Sequence, residues 1–203
     1  PEDYLLNTTA FVHSACIMQN YYSPQLCIGT TEPNGRVFAK DGYNYELYSV
    51  TDDEYWDPTF VSDLDDECNV SYAMGIFGKR KKTQWRNSGD SKYPALSNRG
   101  PVMGEYVEDS LTYEIHGARK EWDGNICYQD NHVDFERTLH PEGLNYSLGG
   151  ESVPDNLFNI DCPGAVCDFW GGDAWLVMVS ELEEGSSSDR PDPTLEWDDL
   201  PSP

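Results

Sequence analysis

The segment Thr51–Glu67, TDDEYWDPTFVSDLDDE, contains the residue types that suggest chemistry most directly. It has eight carboxylates and no Lys or Arg, yet aromatic and aliphatic residues lie between the acids. Carboxylates pair with guanidinium and ammonium groups, while Tyr and Trp faces accept a stacked cation and provide buried anchors. This pattern predicts a contact surface for a basic protein. The alternative is a solvated acidic loop whose aromatic side chains pack back onto the core.

The predicted contacts form two groups, DDEYWD and DLDDE, separated by a short run of less charged residues. The predicted ligand-binding residues are Asp52, Asp53, Glu54, Tyr55, Trp56 and Asp57, followed by Asp63, Asp65, Asp66 and Glu67. A third segment, LEWDDL (Leu195–Leu200), repeats the combination of an aromatic residue and acids, and is centred on Trp197.

The charge balance narrows the class of partner. The 203-residue chain has a net charge of -24, which disfavours nucleic acid and anionic membrane surfaces and favours a cationic protein. Basic residues concentrate in a segment rich in turn formers, which we predict to be an exposed loop. Its cluster Lys79, Arg80, Lys81 and Lys82 either contacts a glycosaminoglycan or balances part of the protein's own negative field.

Catalytic signatures are weak. The sequence contains no G-x-S-x-G elbow, phosphate-binding glycine loop or H-E-x-x-H motif. The step from His132 to Asp134 could contribute to an iron site, but a solvent-facing strand edge is the interpretation we favour. Paired carboxylates and six Trp residues leave a carbohydrate-binding or carbohydrate-cleaving protein as the alternative function. We therefore predict a protein without catalytic residues, cofactor or metal site.

Cysteines and sequons indicate the secretory route. The sequence has an even set of six cysteines, which predicts disulfide bonds, and three N-glycosylation sequons. The cysteines are Cys16, Cys27, Cys68, Cys127, Cys162 and Cys167, and the sequons start at Asn7, Asn69 and Asn145. Proximity along the chain favours pairing Cys16 with Cys27 and Cys162 with Cys167, which leaves Cys68 with Cys127. We expect a secreted, extracellular glycoprotein.

Strand signals dominate the secondary structure. Aromatic and β-branched runs separated by Asn-Gly and Asp-Gly turns predict an all-β fold, an antiparallel β-sandwich with long acidic and basic loops. The predicted strands are Tyr43–Val50, Ser71–Phe77, Ser110–His116 and Ala174–Leu182, with weaker candidates at Ala10–Met18 and Arg36–Ala39. No long segment shows the helical period. We predict one domain over residues 1–182 and a flexible acidic tail over residues 183–203.

The net charge, six cysteines, three sequons and the segments around Tyr55 and Trp197 resemble one functional class. They are similar to the secreted chemokine-binding decoy proteins of poxviruses and helminth parasites. The segment EYVEDSLTYEIHGARKEWDGNIC (Glu105–Cys127) loosely resembles a strand-loop-cysteine region of the poxviral proteins. The resemblance implies a disulfide-bonded β-sandwich that captures a basic chemokine through acidic loops. Its function would be immune evasion by sequestration.

Overall fold

The computed structural model describes residues 4–76, 85, 90–118, 120–160, 173–187 and 190–198. The chain divides into two compact units. The first unit consists of Pro1–Tyr72 and Met178–Glu196, and the second consists of Ala73–Val177 and Trp197–Pro203. Within the described residues, no helix is long and apolar enough to span a bilayer.

One α-helix, α1, covers Thr9–Met18 in the first unit. Its N-terminus is capped by Thr8, whose hydroxyl accepts a hydrogen bond from the Phe11 amide at 3.2 Å. The predicted strand Ala10–Met18 is therefore wrong. Apolar residues occur on more than one side of α1, because Ile17 is fully buried while Phe11 is half-buried on another side. Such a helix lacks the single apolar stripe by which helices are recognised in sequence.

Short 3-10 helices replace two further predicted strands. Tyr43–Val50 contains the 3-10 helix Tyr45–Leu47, and Ser110–His116 contains Leu111–Glu114. The side chain that precedes each of these helices caps its N-terminus. Asn44 accepts a hydrogen bond from the Glu46 amide at 3.0 Å, and Ser110 accepts one from the Thr112 amide. Local side-chain bonds of this kind offer the backbone an alternative to a strand ladder. The remaining 3-10 helices of the described chain are Tyr4–Leu6, Pro24–Cys27 and Val102–Gly104.

Eight strands form the rest of the regular structure in the part of the chain that the structure describes. They are β1 (Tyr72–Gly75), β2 (Pro94–Asn98), β3 (Gly124–Tyr128), β4 (Val133–Glu136), β5 (Asn145–Leu148), β6 (Glu151–Pro154), β7 (Leu176–Ser187) and β8 (Arg190–Glu196). β1 and β7 confirm the strands predicted at Ser71–Phe77 and Ala174–Leu182. Of the weaker candidates, Arg36–Ala39 contributes only an isolated bridge between Val37 and Cys68.

The sheets confirm the prediction of a mostly antiparallel β protein. In the second unit the strand order is β4-β3-β2-β1-β7, and β5 and β6 form a separate two-stranded sheet. The register of β3 on β4 pairs Ile126 with Asp134, and that of β1 on β7 pairs Met74 with Val177. β7 continues into the first unit, where it pairs antiparallel with β8.

Each unit has its own apolar core. The core of the first unit includes Ile17, Phe60, Cys68, Val70 and Met178. The core of the second includes Trp122, Ile126, Leu157, Phe158 and Leu176.

The C-terminal segment is held by a buried ion pair in the second unit. Arg99 Nε donates to Asp198 Oδ2 at 2.9 Å and Arg99 Nη2 donates to Asp198 Oδ1 at 3.1 Å, with both side chains almost fully buried. The Arg99 carbonyl accepts from Trp122 Nε1 at 2.8 Å, and Trp197 packs against the core. Trp197 and Asp198 of the LEWDDL segment thus anchor it to the second unit, and Trp197 packs against the core instead of forming a second exposed contact site.

The structure also differs from the predicted boundary at residue 182, which falls inside β7. β7 runs to Ser187, and β8 pairs with it over Arg190–Glu196. The composition suggested a tail because Ser, Pro and Asp are poor strand formers, but β8 gains its order from the ladder with β7.

The Arg99–Asp198 pair generates a stability prediction. Asp198→Ala leaves a buried guanidinium without its carboxylate, so we expect the free energy of unfolding to fall by about 3–5 kcal/mol. Urea unfolding monitored by circular dichroism measures the change. The matched control is the double variant Arg99→Met/Asp198→Leu, which removes both charges and should recover most of the loss. A loss in the single variant of less than about 1 kcal/mol would contradict the structural role of the pair.

The structure shows no disulfide bond between the described cysteines, so the predicted pairings Cys16–Cys27 and Cys68–Cys127 are absent from it. Cys16, Cys27, Cys68 and Cys127 form no disulfide bond, and Cys162 and Cys167 lie outside the described residues. Cys68 and Cys127, which were predicted to pair, lie in different units of the chain. Cys68 Sγ donates to the Val70 carbonyl at 3.2 Å inside the first core, whereas Cys127 lies on β3 in the second unit.

His13 lies at the centre of a buried polar cluster on α1. Its Nδ1 is hydrogen-bonded to the Tyr22 hydroxyl at 2.8 Å and lies 3.8 Å from Cys27 Sγ. Its Nε2 has no hydrogen-bond partner among the described residues. Burial lowers the pKa of His13 to about 4, because a charged imidazolium would be desolvated there. Burial also raises the pKa of the Cys27 thiol to about 12, with a further contribution from Cys16.

His13 should make stability depend on pH. The unfolded chain binds a proton near the normal pKa of 6.5, but the folded chain binds it only near 4. The free energy of unfolding therefore decreases as the pH falls from 6.5 to 4, by up to about 3 kcal/mol from this group. His13→Asn should show a smaller decrease than the wild type in urea titrations at pH 7 and pH 4.5. The control His140→Asn, at an exposed position, should behave as the wild type. Equal pH dependence in all three proteins would refute this assignment.

Candidate functional site

A partly open cavity of about 690 Å³ lies against α1 in the first unit. We call it the α1 groove. Two of its eleven lining residues are acidic and none is basic. The lining residues are Leu6, Asn7, Phe11, Val12, Ala15, Leu47, Asp53, Glu54, Tyr55, Trp56 and Pro58. The groove therefore contains four of the ten residues predicted as ligand contacts, all of them from the segment DDEYWD.

The floor of the groove is apolar and was not predicted. Phe11, Val12 and Ala15 lie on one face of α1, since Ala15 follows Val12 by three positions and Phe11 by four, and residues at these spacings share a side of a helix. Leu47, at the end of a 3-10 helix, adds a further apolar contact. These residues were missed because the α1 region was interpreted as a strand. The available signal was Thr8, a good N-cap residue directly before the apolar run.

A tight turn presents the acidic rim of the groove. The Ser49 amide donates to the Glu54 carbonyl at 2.9 Å, and the Glu54 amide returns a bond to the Ser49 carbonyl at 3.0 Å. Asp53 adopts a φ of 62°, a left-handed conformation that Asp tolerates better than most residues. The Ser49 hydroxyl donates to Asp52 Oδ2 at 2.6 Å, so Asp52 braces the turn and is absent from the groove lining.

Aromatic side chains form the wall behind this rim. The Trp56 ring lies 5.4 Å from the Phe11 ring and 6.2 Å from the Tyr55 ring, and Tyr55 contacts Tyr48 edge to face at 6.3 Å. Tyr55 is 40% exposed. A hydrogen bond to Asp53 raises the pKa of the Tyr55 hydroxyl, because it stabilises the protonated phenol beside a carboxylate. Anions and aromatic faces thus meet at one edge of the groove.

Asp57 was predicted as a contact residue but is a buried structural group. It is 2% exposed, and its carboxylate accepts from the Asn44 amide at 2.9 Å, the Thr59 amide at 2.9 Å and the Thr59 hydroxyl at 2.7 Å. Its own amide donates to the Tyr43 hydroxyl at 3.3 Å, and its carbonyl accepts from the Ser14 hydroxyl at 3.2 Å. Burial alone would raise the pKa of Asp57, but the hydrogen bonds to the carboxylate outweigh it and the pKa is lowered.

The second predicted group, DLDDE, does not line the groove. Asp63 Oδ1 accepts from the amides of Asp65 at 2.8 Å and Asp66 at 3.1 Å, which closes a local turn. Asp65 lies 3.8 Å from Arg36 Nη1, and the side chains of Asp65, Asp66 and Glu67 are exposed. The structure therefore separates these four acids from the groove, and Asp63 has a structural role.

The three predicted glycosylation sites differ in how far the asparagine side chain is buried. Asn69 is fully buried, its Oδ1 accepts from the Val61 amide at 3.0 Å and its Nδ2 donates to the Phe38 carbonyl at 3.1 Å. A glycan on Nδ2 would break that bond, so Asn69 could carry one only if this part of the fold rearranged, and glycosylation at the three sequons stays a prediction. Asn145 is exposed on β5, and Asn7 is half-buried in the groove lining.

The remaining candidate residues have no shared site. His132 contacts the carboxylates of Asp130 and Asp134, the latter at 3.3 Å from Nε2, and stacks on Tyr128. Among the residues that the structure describes, no group of three or more His, Cys, Asp and Glu side chains could hold a metal ion. The basic run Lys79–Lys82 lies outside the described residues, so its contact with a glycosaminoglycan stays a prediction.

Comparison with known proteins adds no relative to this description. No protein-family model, curated protein or solved structure matches the chain. The α1 groove and the charge around it are therefore the features of the molecule that bear on its function.

Asp57 connects the groove to the core, which gives a testable consequence. Asp57→Asn keeps the size of the side chain but replaces one acceptor oxygen by a donor facing backbone amides. We expect it to lower the free energy of unfolding by about 2 kcal/mol at pH 7, measured by urea unfolding. Because the folded pKa is lowered, the stabilisation by Asp57 is present above the unfolded pKa and disappears as the pH falls through the folded value.

The control for this variant is Glu46→Gln, an exposed acid on the neighbouring 3-10 helix, which should change stability by less than about 0.5 kcal/mol. If Asp57→Asn is as stable as Glu46→Gln, the carboxylate does not hold the segment in place.

Proposed function

We propose that this protein is a secreted, non-catalytic binding protein that sequesters a basic extracellular protein, with a chemokine as the leading candidate. One observation carries the proposal. The α1 groove combines an apolar floor, an aromatic wall and an acidic rim formed by Asp53 and Glu54, without a basic residue in its lining. A basic partner can place apolar side chains on the floor and cationic groups at the rim. Immune evasion by sequestration would follow from blocking the partner's own receptor surface.

The charge of the whole chain supports the same proposal. A net charge of -24 produces a negative field that attracts cationic proteins and accelerates their encounter. Exposed acids near the groove, such as Asp52 and Glu46, add to this field locally. The long-range field would set the association rate, and packing in the groove would set the lifetime of the complex.

A carbohydrate ligand is the second candidate, because the site is concave and contains Trp56, Tyr55 and two carboxylates. The composition of the floor favours the basic protein over the sugar. Val12, Ala15 and their apolar neighbours offer no side-chain hydrogen bonds, whereas a sugar presents hydroxyl groups that must be satisfied on burial. A glycan array provides the direct test of this alternative.

The resemblance to chemokine-binding decoy proteins extends the proposal to the fold. We propose that the sheets of the second unit face each other as in a β-sandwich. Leu144, directly before β5, belongs to the same apolar cluster as Ile126 on β3, which supports this arrangement. Extracellular location is part of the same proposal, and the exposed sequon at Asn145 is compatible with it.

The proposal predicts salt-sensitive capture of a basic protein. A panel of chemokines and other basic cytokines should yield a binder in surface plasmon resonance. Its association rate should fall by about tenfold or more between 50 and 500 mM NaCl, while the dissociation rate changes less. An acidic cytokine is the negative control. An association rate that is independent of salt, or no binder in the panel alongside a specific glycan, would refute the proposed function.

A further inference from the structure

We propose that the α1 groove binds an arginine-bearing segment of its partner and selects arginine over lysine at the rim. This inference rests on the proposed function, because it names the chemistry that the same site recognises. The groups that would recognise the arginine are the two carboxylates and the aromatic faces of Tyr55 and Trp56, all of which line the groove.

The size of the groove fits a ligand larger than a single ion. A volume of about 690 Å³ lies within the roughly 300–1,000 Å³ of cavities that bury most of a small ligand. A short stretch of polypeptide with two or three side chains fits this scale. The floor formed by Phe11, Val12, Ala15 and Leu47 requires that part of this stretch be apolar, since a polar group there would lose its hydration without compensation.

The charge pattern requires that the rest of the stretch be cationic. Asp53 and Glu54 are adjacent, both are exposed, and both line the groove. The Tyr55 hydroxyl occupies part of the hydrogen-bonding capacity of Asp53, but a carboxylate has about four acceptor positions. The rim can therefore accept several N–H donors from one planar group.

The aromatic wall discriminates between the two common cations. A guanidinium is planar and weakly hydrated, so it can lie on the face of Tyr55 or Trp56 while its edge donates to a carboxylate. A lysine ammonium is compact and strongly hydrated, and it gains less from an aromatic face. The Trp56 ring is held by Phe11 at 5.4 Å and by Tyr55 at 6.2 Å, so its face is positioned before the ligand arrives. Such preorganisation lowers the entropic cost of binding.

The experiment uses the full chain and three blocked pentapeptides. The peptides have the sequence Ala-Leu-X-Leu-Ala with X as arginine, lysine or citrulline, the neutral isostere of arginine. Dissociation constants come from NMR titrations of the ¹⁵N-labelled protein. We expect the arginine peptide to bind, the lysine peptide to bind about fivefold more weakly, and the citrulline peptide about tenfold more weakly. Chemical-shift changes should centre on the indole and amide signals of Trp56.

Four variants locate the binding. Asp53→Asn/Glu54→Gln removes both charges while keeping a residue type that tolerates the left-handed turn, and Trp56→Leu removes the aromatic face. Both should weaken the arginine peptide by about tenfold and reduce the preference for arginine over lysine. Tyr21→Ala, a highly exposed aromatic outside the groove, and Glu142→Gln, an exposed acid of the second unit, should bind as the wild type.

The basic protein identified from the panel is measured against the same variants, which separates the two proposals. If it binds the wild type and the groove variants equally, the inference is overturned while the proposed function stands. If no basic protein binds but the arginine peptide does, the groove chemistry is supported and the proposed function is overturned. Equal affinities for arginine, lysine and citrulline would refute the selectivity. Should Trp56→Leu fail to fold, the charge variant decides the question alone.

Discussion

The buried carboxylate of Asp57 is the interaction on which the candidate site depends. A desolvated anion is stable only when hydrogen-bond donors surround it, and here the donors come from Asn44 and Thr59. The peptide groups of Asp57 add bonds to Ser14 on α1 and to Tyr43. One residue therefore joins the helix, the start of the 3-10 helix after Asn44 and the acidic segment. The groove exists because these three elements are fixed relative to each other within the first unit.

The acidic segment thus has two ends with opposite roles. At the turn, Asp53 and Glu54 are exposed and accessible to a ligand. Asp57, three residues after Glu54, is buried and hydrogen-bonded within the fold. Tyr55 and Trp56 lie between them and are braced from both sides. This explains why a segment with so much charge also contains aromatic residues: the charge faces solvent at one end and holds the backbone at the other. Asp57 therefore fits the interpretation of a segment packed onto the core, while contact of Asp53 and Glu54 with a ligand stays a prediction.

The sequence predicted the features that depend on local pattern. β1 and β7 were recognised because runs of apolar and β-branched residues favour buried strands. Asp53–Trp56, which line the groove, were selected by their composition as ligand contacts, a role that stays a prediction. The roles of Asp52, Asp53 and Asp57 could not be distinguished, because the three are the same residue type within six positions. Their roles depend on the hydrogen-bond donors that reach them: Asp52 accepts from the Ser49 hydroxyl, and Asp57 accepts from the Asn44 amide, 13 residues earlier in the chain. α1 was missed for a related reason, since its second apolar face serves the groove and hides the helical period.

The net charge of the chain overstates the charge that a cationic protein would meet at its surface. Some of the 37 acids are neutralised or enclosed by the fold: Asp198 faces Arg99, and Glu196 accepts from the Leu64 amide inside the first unit, where burial raises its pKa. These groups contribute little to the field that a partner meets, since they are paired or retained in a dry environment. Global charge can therefore account for fast encounter with many cationic proteins, but it cannot select one. Selection requires a place where few anions, fixed in direction, adjoin apolar surface, and in the first unit that combination occurs where the Ser49–Glu54 turn meets α1.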